Sequence, residues 1–166
     1  LDVGAGSGCM AIGLKKKYPQ AVVTAMDISV EALAVAIDNA RLNNCHIRFC
    51  HADILSSETV KDFPAFDIIL SNPPYVLESE RPLIGKNVLD YEPGIALFVP
   101  GTDPLLFYRA ITDFAQIHLK EQGTLYFEIN ERKGKDVFEL LNSRDFVPEV
   151  FQDIHFKDRF VRAKRK

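Results

Sequence analysis

The chain has 166 residues, enough for one domain with a sizeable core. An apolar fraction of 47% and a formal net charge of −3 describe an ordinary globular composition, with no global pull toward nucleic acid. No apolar run reaches the length of a membrane span and no signal peptide is visible; the three cysteines (Cys9, Cys45, Cys50) lack metal-ligand spacing and read as incidental thiols of a reducing, cytoplasmic setting.

Strands and helices alternate along the chain. "LDVGAGSG" opens it with only three residues before the first glycine, fewer than the roughly 5–6 of a usual strand. The first strand is therefore expected to be cut, and the chain to be one catalytic domain, residues 1–166, of a longer protein. "CMAIGLKKKY" reads as a helix with Ile12 and Leu14 inward and Lys15 to Lys17 solvated. "AVVTAMD" is a strand ending in Asp27. Ser29 is the expected N-cap of a helix whose inner face carries Leu33, Ala36, Ile37 and Ala40. "HIRFCHAD" alternates as a strand ending at Asp53, and "AFDIIL" is a strand leading to Asn72.

Residues 76–103 have no clear periodicity and several prolines and glycines, and are expected to be a functional insertion. "PLLFYRAITDFAQIHLKEQG" then reads as a helix with Pro104 at its start and Gly123 closing it. Strand "TLYFEI", helix "GKDVFELLNS" and the apolar stretches "VPEVFQDI" and "DRFVRAKR" complete the chain; the last two have no helix between them and should form an antiparallel hairpin. Repeated β-α units imply an α/β fold, a mostly parallel sheet with helices on both faces.

"GAGSG" joins a strand to a helix. Its glycines allow a tight turn and close approach to a ligand, and free N–H groups at the helix start favour a negative group. Gly6-Ser-Gly8-Cys-Met-Ala11 fits the loose dinucleotide pattern, but Gly4-Ala-Gly6-Ser-Gly8 fits the G-x-G-x-G loop of S-adenosylmethionine (SAM) enzymes better. Asp27, at a strand end, suits two ribose hydroxyls in either case. Asp53, with the Ile54 backbone, suits an adenine edge.

"SNPPY" follows the fourth strand. Pro73 and Pro74 lack N–H donors and hold the backbone extended, so the Asn72 side chain is presented and nearby carbonyls stay free as acceptors. Tyr75 adds a flat apolar face for a planar group. These parts suit methyl transfer to a planar –NH2. The Asn72 oxygen and the Pro73 carbonyl would each take one amide hydrogen, aim the nitrogen and stabilise the charge that develops on it.

"LDVGAGSG", "DIS", "HAD" and "SNPPY" resemble a Rossmann-like class I SAM-dependent methyltransferase. "YEPGIALFVPGTDPLLFYRAI", "LYFEIN" and "KDRFVRA" are similar to the HemK/PrmC family, which methylates the glutamine amide of the GGQ motif in class I peptide chain release factors. The resemblance implies a seven-stranded sheet in the order 3-2-1-4-5-7-6 with strand seven antiparallel. It implies SAM as cofactor, with S-adenosylhomocysteine as product, and release factors as partners. Gly4, Gly6 and Gly8 would line the methionine end of SAM, Asp27 the ribose, and Asp53 with Ile54 the adenine. Asn72, Pro73, Pro74 and Tyr75 would hold the glutamine, Asn72 also bordering the cofactor. Pro104 stands where that family often has glycine, and the family's N-terminal helical docking domain is expected to be missing.

Competing readings are a DNA or RNA adenine-N6 methyltransferase, a ribosomal-protein glutamine methyltransferase, a nicotinamide-dependent reductase and a non-catalytic SAM-binding module. The acidic balance counts against direct nucleic-acid binding. Asn72 to Tyr75 would be unexplained in a reductase or a mere binding module. The scattered His46, His51, His118 and His155 suggest no metal site or triad, and the basic end "KDRFVRAKRK" reads as a solvated tail.

Overall fold

A computed structural model describes residues 1–90 and 93–166. Tyr91 and Glu92, the first two residues of the "YEP" segment, lie outside the described residues. The main sheet has seven strands: β1 (Asp2–Val3), β2 (Thr24–Asp27), β3 (Arg48–His51), β4 (Phe66–Ser71), β5 (Leu119–Glu128), β6 (Phe146–Gln152) and β7 (Asp158–Arg165). Their order is β3-β2-β1-β4-β5-β7-β6. β1 to β5 pair in parallel, and β7 runs antiparallel to both β5 and β6. This is the expected class I arrangement. The cause is connection length: β6 and β7 are joined by a short turn, which permits only a hairpin, whereas α1 (Cys9–Lys17) and α2 (Val30–Leu42) carry the chain back for parallel pairing.

Helix α2 starts where its capping residue places it. Ser29 is extended and its Oγ accepts the Ala32 N–H at 3.0 Å. Leu33, Ala36 and Ala40 are buried as expected, but Ile37 is 41% exposed. It falls at the edge of the stripe, beyond reach of the sheet. On α1, Ile12 is buried while Leu14 and Lys15 are half-buried; Lys15 is tied down by bonds to the Pro19 and Ala21 carbonyls.

Helix α3 (Leu106–His118) buries Tyr108, Ile111, Phe114 and Ala115, one face of a 3.6-residue period. It and α4 (Gly134–Asn142) share the principal core with Leu125, Phe127, Val161 and Ala163 of the sheet. Each such large apolar side chain contributes about 1.5–3 kcal/mol on burial. Two expectations for α3 fail. It begins after Pro104, because the Asp103 carboxylate takes the Leu105 N–H at 2.9 Å and the Arg109 guanidinium at 2.8 Å and so organises the entry turn. It also ends at His118, and Gly123 does not close it: β5 already pairs at Leu119 with Phe66, then bulges before Thr124 meets Ile68. A Cβ on Gly123 would lie 2.7 Å from the Leu119 side chain, so this glycine serves the tight bulge.

Residues 76–103 fold into short pieces. Val76–Leu77 pairs in parallel with Phe98–Val99, and the turns Glu78–Leu83, Lys86–Leu89 and Gly94–Leu97 lie between. The Arg81 guanidinium sits 4.1 Å from the Phe98 ring centroid and pairs with Glu78, which holds the segment together. Its periodicity is hidden because no piece exceeds two turns.

Candidate functional site

Parallel pairing puts the C-terminal ends of β1 to β4 on one edge, where doubly wound folds bind ligands. Val3 pairs with Ser71, so Gly4 and Asn72 leave the sheet side by side. Gly4, Gly6 and Gly8 all have positive φ, at 71°, 54° and 80°. Only glycine adopts this series without strain. A Cβ on Gly4 or Gly6 would meet nothing within 4 Å, whereas one on Gly8 would lie 3.0 Å from the Ala36 Cβ. Gly4 and Gly6 thus border open space, and Gly8 lets α1 pack against α2.

The loop is held by β2. Gly4 and Ala5 donate to the Met26 carbonyl at 2.9 and 3.0 Å. Gly6 donates to Asp27 Oδ2 at 2.8 Å, and Ser29 to Asp27 Oδ1 at 2.9 Å. Each Asp27 oxygen keeps further acceptor capacity. Among the described residues, no acceptor meets the N–H of Ser7, Cys9 or Met10 at the start of α1. These are donors suited to an anion.

Asp2 is a residue that sequence reasoning passed over. It is fully buried on β1, its Oδ2 accepts the Ala11 N–H at 3.0 Å, and its Oδ1 has no partner among the described residues. Burial pushes its carboxyl up to about 6, opposed by the Ala11 hydrogen bond. An acid inside an otherwise apolar strand, just before the glycine loop, was the available signal.

Asp53 lies two residues past the end of β3, not within it. Its Oδ1 accepts the Leu55 N–H at 2.8 Å and its carbonyl accepts the Thr59 hydroxyl, so a compact turn fixes the half-buried carboxylate and presents Ile54. Asn72 is exposed, and its side chain has no hydrogen-bond partner among the described residues. Pro73 is buried and anchors the turn; Pro74 and Tyr75 are half-buried, with Tyr75 packed against the core. Burial pushes the Tyr75 phenol above its usual range, aided by the Glu128 charge and opposed by Arg159. The phenol is neutral at physiological pH and offers a face and a donor. Among the described residues, no group of three or more metal-ligating side chains converges. The three thiols are free, Cys9 exposed on α1 and the other two half-buried.

One edge of the sheet therefore combines a donor-rich glycine loop, two strand-end carboxylates with spare acceptor capacity, and an exposed amide over a proline-fixed turn. The chain is 49% identical over 164 residues to the release factor glutamine methyltransferase of Flavobacterium psychrophilum, covering 98% of this chain and 57% of that protein. It is 45% identical over 166 residues to the release factor glutamine methyltransferase of Bacteroides thetaiotaomicron, covering 99% and 59%. The chain thus spans a little over half the length of these curated relatives. The crystal structure of ribosomal protein L11 methylase from Lactobacillus delbrueckii subsp. bulgaricus shares the fold at a TM-score of 0.67 and 23% identity, covering 99% of this chain and 68% of that one. The two curated relatives bear out the resemblance to glutamine methyltransferases carried by the sequence motifs. The model of the methyltransferase small domain matches residues 1–90, over half of the chain, and the chain belongs to that family.

Proposed function

We propose that this domain is the catalytic part of a SAM-dependent methyltransferase that modifies the side-chain amide nitrogen of the GGQ glutamine in class I peptide chain release factors. The observation that carries the reading is the Val3–Ser71 register, which sets the glycine loop and Asn72 side by side. The residues fit the cofactor's polar groups. The unpartnered loop N–H groups suit its carboxylate, and the remaining acceptor capacity of Asp27 suits its ribose hydroxyls. Asp53 and Ile54 would hold its adenine. When bound, SAM supplies a methyl group made electrophilic by its sulfonium.

The chain's own residues must make a poor nucleophile react. An amide nitrogen shares its lone pair with its carbonyl. Asn72 Oδ1 and the Pro73 carbonyl, neither engaged among the described residues, would each accept one amide hydrogen and fix the nitrogen's direction. Both acceptors gain strength as positive charge grows on that nitrogen, which lowers the barrier. Tyr75 would pack against the amide plane. No strong base is required before attack, because the N–H becomes acidic as the new bond forms and its proton then leaves to solvent. The test is incubation with labelled SAM and a purified release factor, then mass mapping. One added methyl on the GGQ glutamine supports the reading; label on another residue type, or none, overturns it.

A further inference from the structure

A cavity of about 280 Å³ opens beside Tyr75, and its wall chemistry extends the glutamine-methyltransferase reading, on which this inference rests. Tyr75 and Glu80 form one side, the turn from Asn130 to Lys133 another, and Arg159 at the start of β7 a third. Most of the charged groups are already engaged. The Glu80 carboxylate accepts the Leu77 N–H at 2.9 Å. Glu131 pairs with Lys157 at 2.6 Å, Lys133 with Asp136 at 3.1 Å, and Arg159 with Asp153 at 3.3 Å.

What remains is donor capacity. Among the described residues, no acceptor meets the Arg132 guanidinium: the adjacent Glu131 carboxylate pairs with Lys157, and only the Arg132 backbone N–H is bonded, to Asn130 Oδ1. Asn130 Oδ1 takes the Arg132 backbone N–H at 2.9 Å, which leaves the Asn130 NH2 group as the free end of that amide. The spare donors of Arg132 and Asn130 on this wall suit a ligand that presents acceptors at regular intervals. Extended peptide offers one carbonyl per residue. It also fits the location, because a glutamine held at Asn72 and Tyr75 must bring its own main chain past Tyr75.

We propose that this cavity receives the main chain flanking the target glutamine, with Arg132 and Asn130 donating to its carbonyl oxygens. Affinity for the substrate segment then depends on these two residues, while the chemical step depends on Asn72 and Pro73. Both belong to uniform binding, so their loss raises KM and leaves kcat in place.

The experiment compares two substrates. One is a short peptide with the target glutamine between glycines and alanines, which offers carbonyls and no acidic side chains. The other is N-acetylglutamine methylamide, which has almost no flank. Arg132→Ala and Asn130→Ala should each raise KM for the peptide about tenfold, the scale of one lost hydrogen bond to a buried or charged partner, with kcat unchanged. Neither should change KM for the small amide, nor SAM affinity, which also reports correct folding. Arg132→Lys should recover only part of the loss, because an ammonium cannot present a planar fork to two carbonyls. Wild-type KM and wild-type calorimetric affinity for the peptide in Arg132→Ala would overturn the proposal, as would binding that requires acidic flanking residues. Calorimetric binding of the peptide decides the cavity's role even without turnover. A wild-type domain that binds the peptide but transfers no methyl would therefore overturn the catalytic reading alone.

Discussion

Ser71 donates its hydroxyl to the Val3 carbonyl at 2.7 Å, a buried bond between residues 68 positions apart. It lies one residue before Gly4 on one strand and one residue before Asn72 on the other. The glycine loop and the Asn72 amide are thereby tied to each other by a side-chain bond that adds to the backbone pairing of their strands.

Ser71→Ala should cost about 0.5–1.5 kcal/mol of stability, the net worth of one such bond. In a domain of this size that lowers the melting temperature by about 2–4 °C per kcal/mol. Methyl transfer should fall more than SAM affinity, because the relative position of the two sites loosens while each stays intact. Thermal denaturation and single-turnover transfer check this; unchanged turnover in a destabilised variant would leave Ser71 a purely structural residue.

Asp27 organises the loop before any ligand arrives, since it accepts from both Gly6 and Ser29. Asp27→Ala should therefore weaken SAM binding by about 1.5–3 kcal/mol for each charge-assisted bond lost to the ribose, plus the cost of a looser loop. Asp27→Asn, which keeps one acceptor, should be intermediate. Isothermal titration of SAM measures both, and wild-type affinity in the alanine variant would exclude Asp27 from the cofactor site.

The glycines should separate into two kinds. Gly8→Ala forces a Cβ to 3.0 Å from the Ala36 Cβ at a φ of 80°, so it should lower stability by about 1–3 kcal/mol. Gly6→Ala meets no atom within 4 Å and pays only the backbone strain. Its main effect should be on SAM affinity, because the new methyl enters the open space at the loop. Melting curves with and without SAM distinguish the two outcomes.

Stability should depend on pH through Asp2. Its folded-state value of about 6 lies above the usual 3.8 because burial disfavours the charged form. Folding is then free of this penalty in acid, and stability falls as pH rises from about 4 to about 6, by about 3 kcal/mol at most, then levels off. Asp2→Asn should remove this slope. Melting temperature against pH for both proteins is the measurement, and parallel curves would show that Asp2 does not titrate in this window.

Asn72→Ala should leave SAM affinity nearly intact and reduce single-turnover transfer by about 10²–10³, by analogy with loss of one preorganised oxyanion-hole donor. Asn72→Asp keeps the size and an acceptor. It should retain more activity than alanine if only an acceptor is needed, and should alter SAM affinity as well if its charge draws on the sulfonium. Turnover at the wild-type rate in Asn72→Ala would make the proline turn a structural feature only.

The sequence by itself determined the class of fold and the local turns at the ends of the strands. Local signals suffice for these: glycines where φ must be positive, Ser29 as a cap, prolines after Asn72, and β-α alternation followed by two strands with no helix between. The tertiary structure alone decided what depends on pairing between distant residues. The bulge that ends α3 at His118 and employs Gly123 arises from the register of β5 on β4, and no local propensity reports it. Ile37 turned outward because the stripe on α2 is narrower than its apolar pattern. Asp2 and Ser71 gained their roles from burial and from a contact across 68 residues, and Arg132 and Asn130 from the engagement of every charged neighbour around them. Periodicity and turn chemistry act over a few residues, whereas burial, register and spare hydrogen-bonding capacity are properties of the assembled neighbourhood.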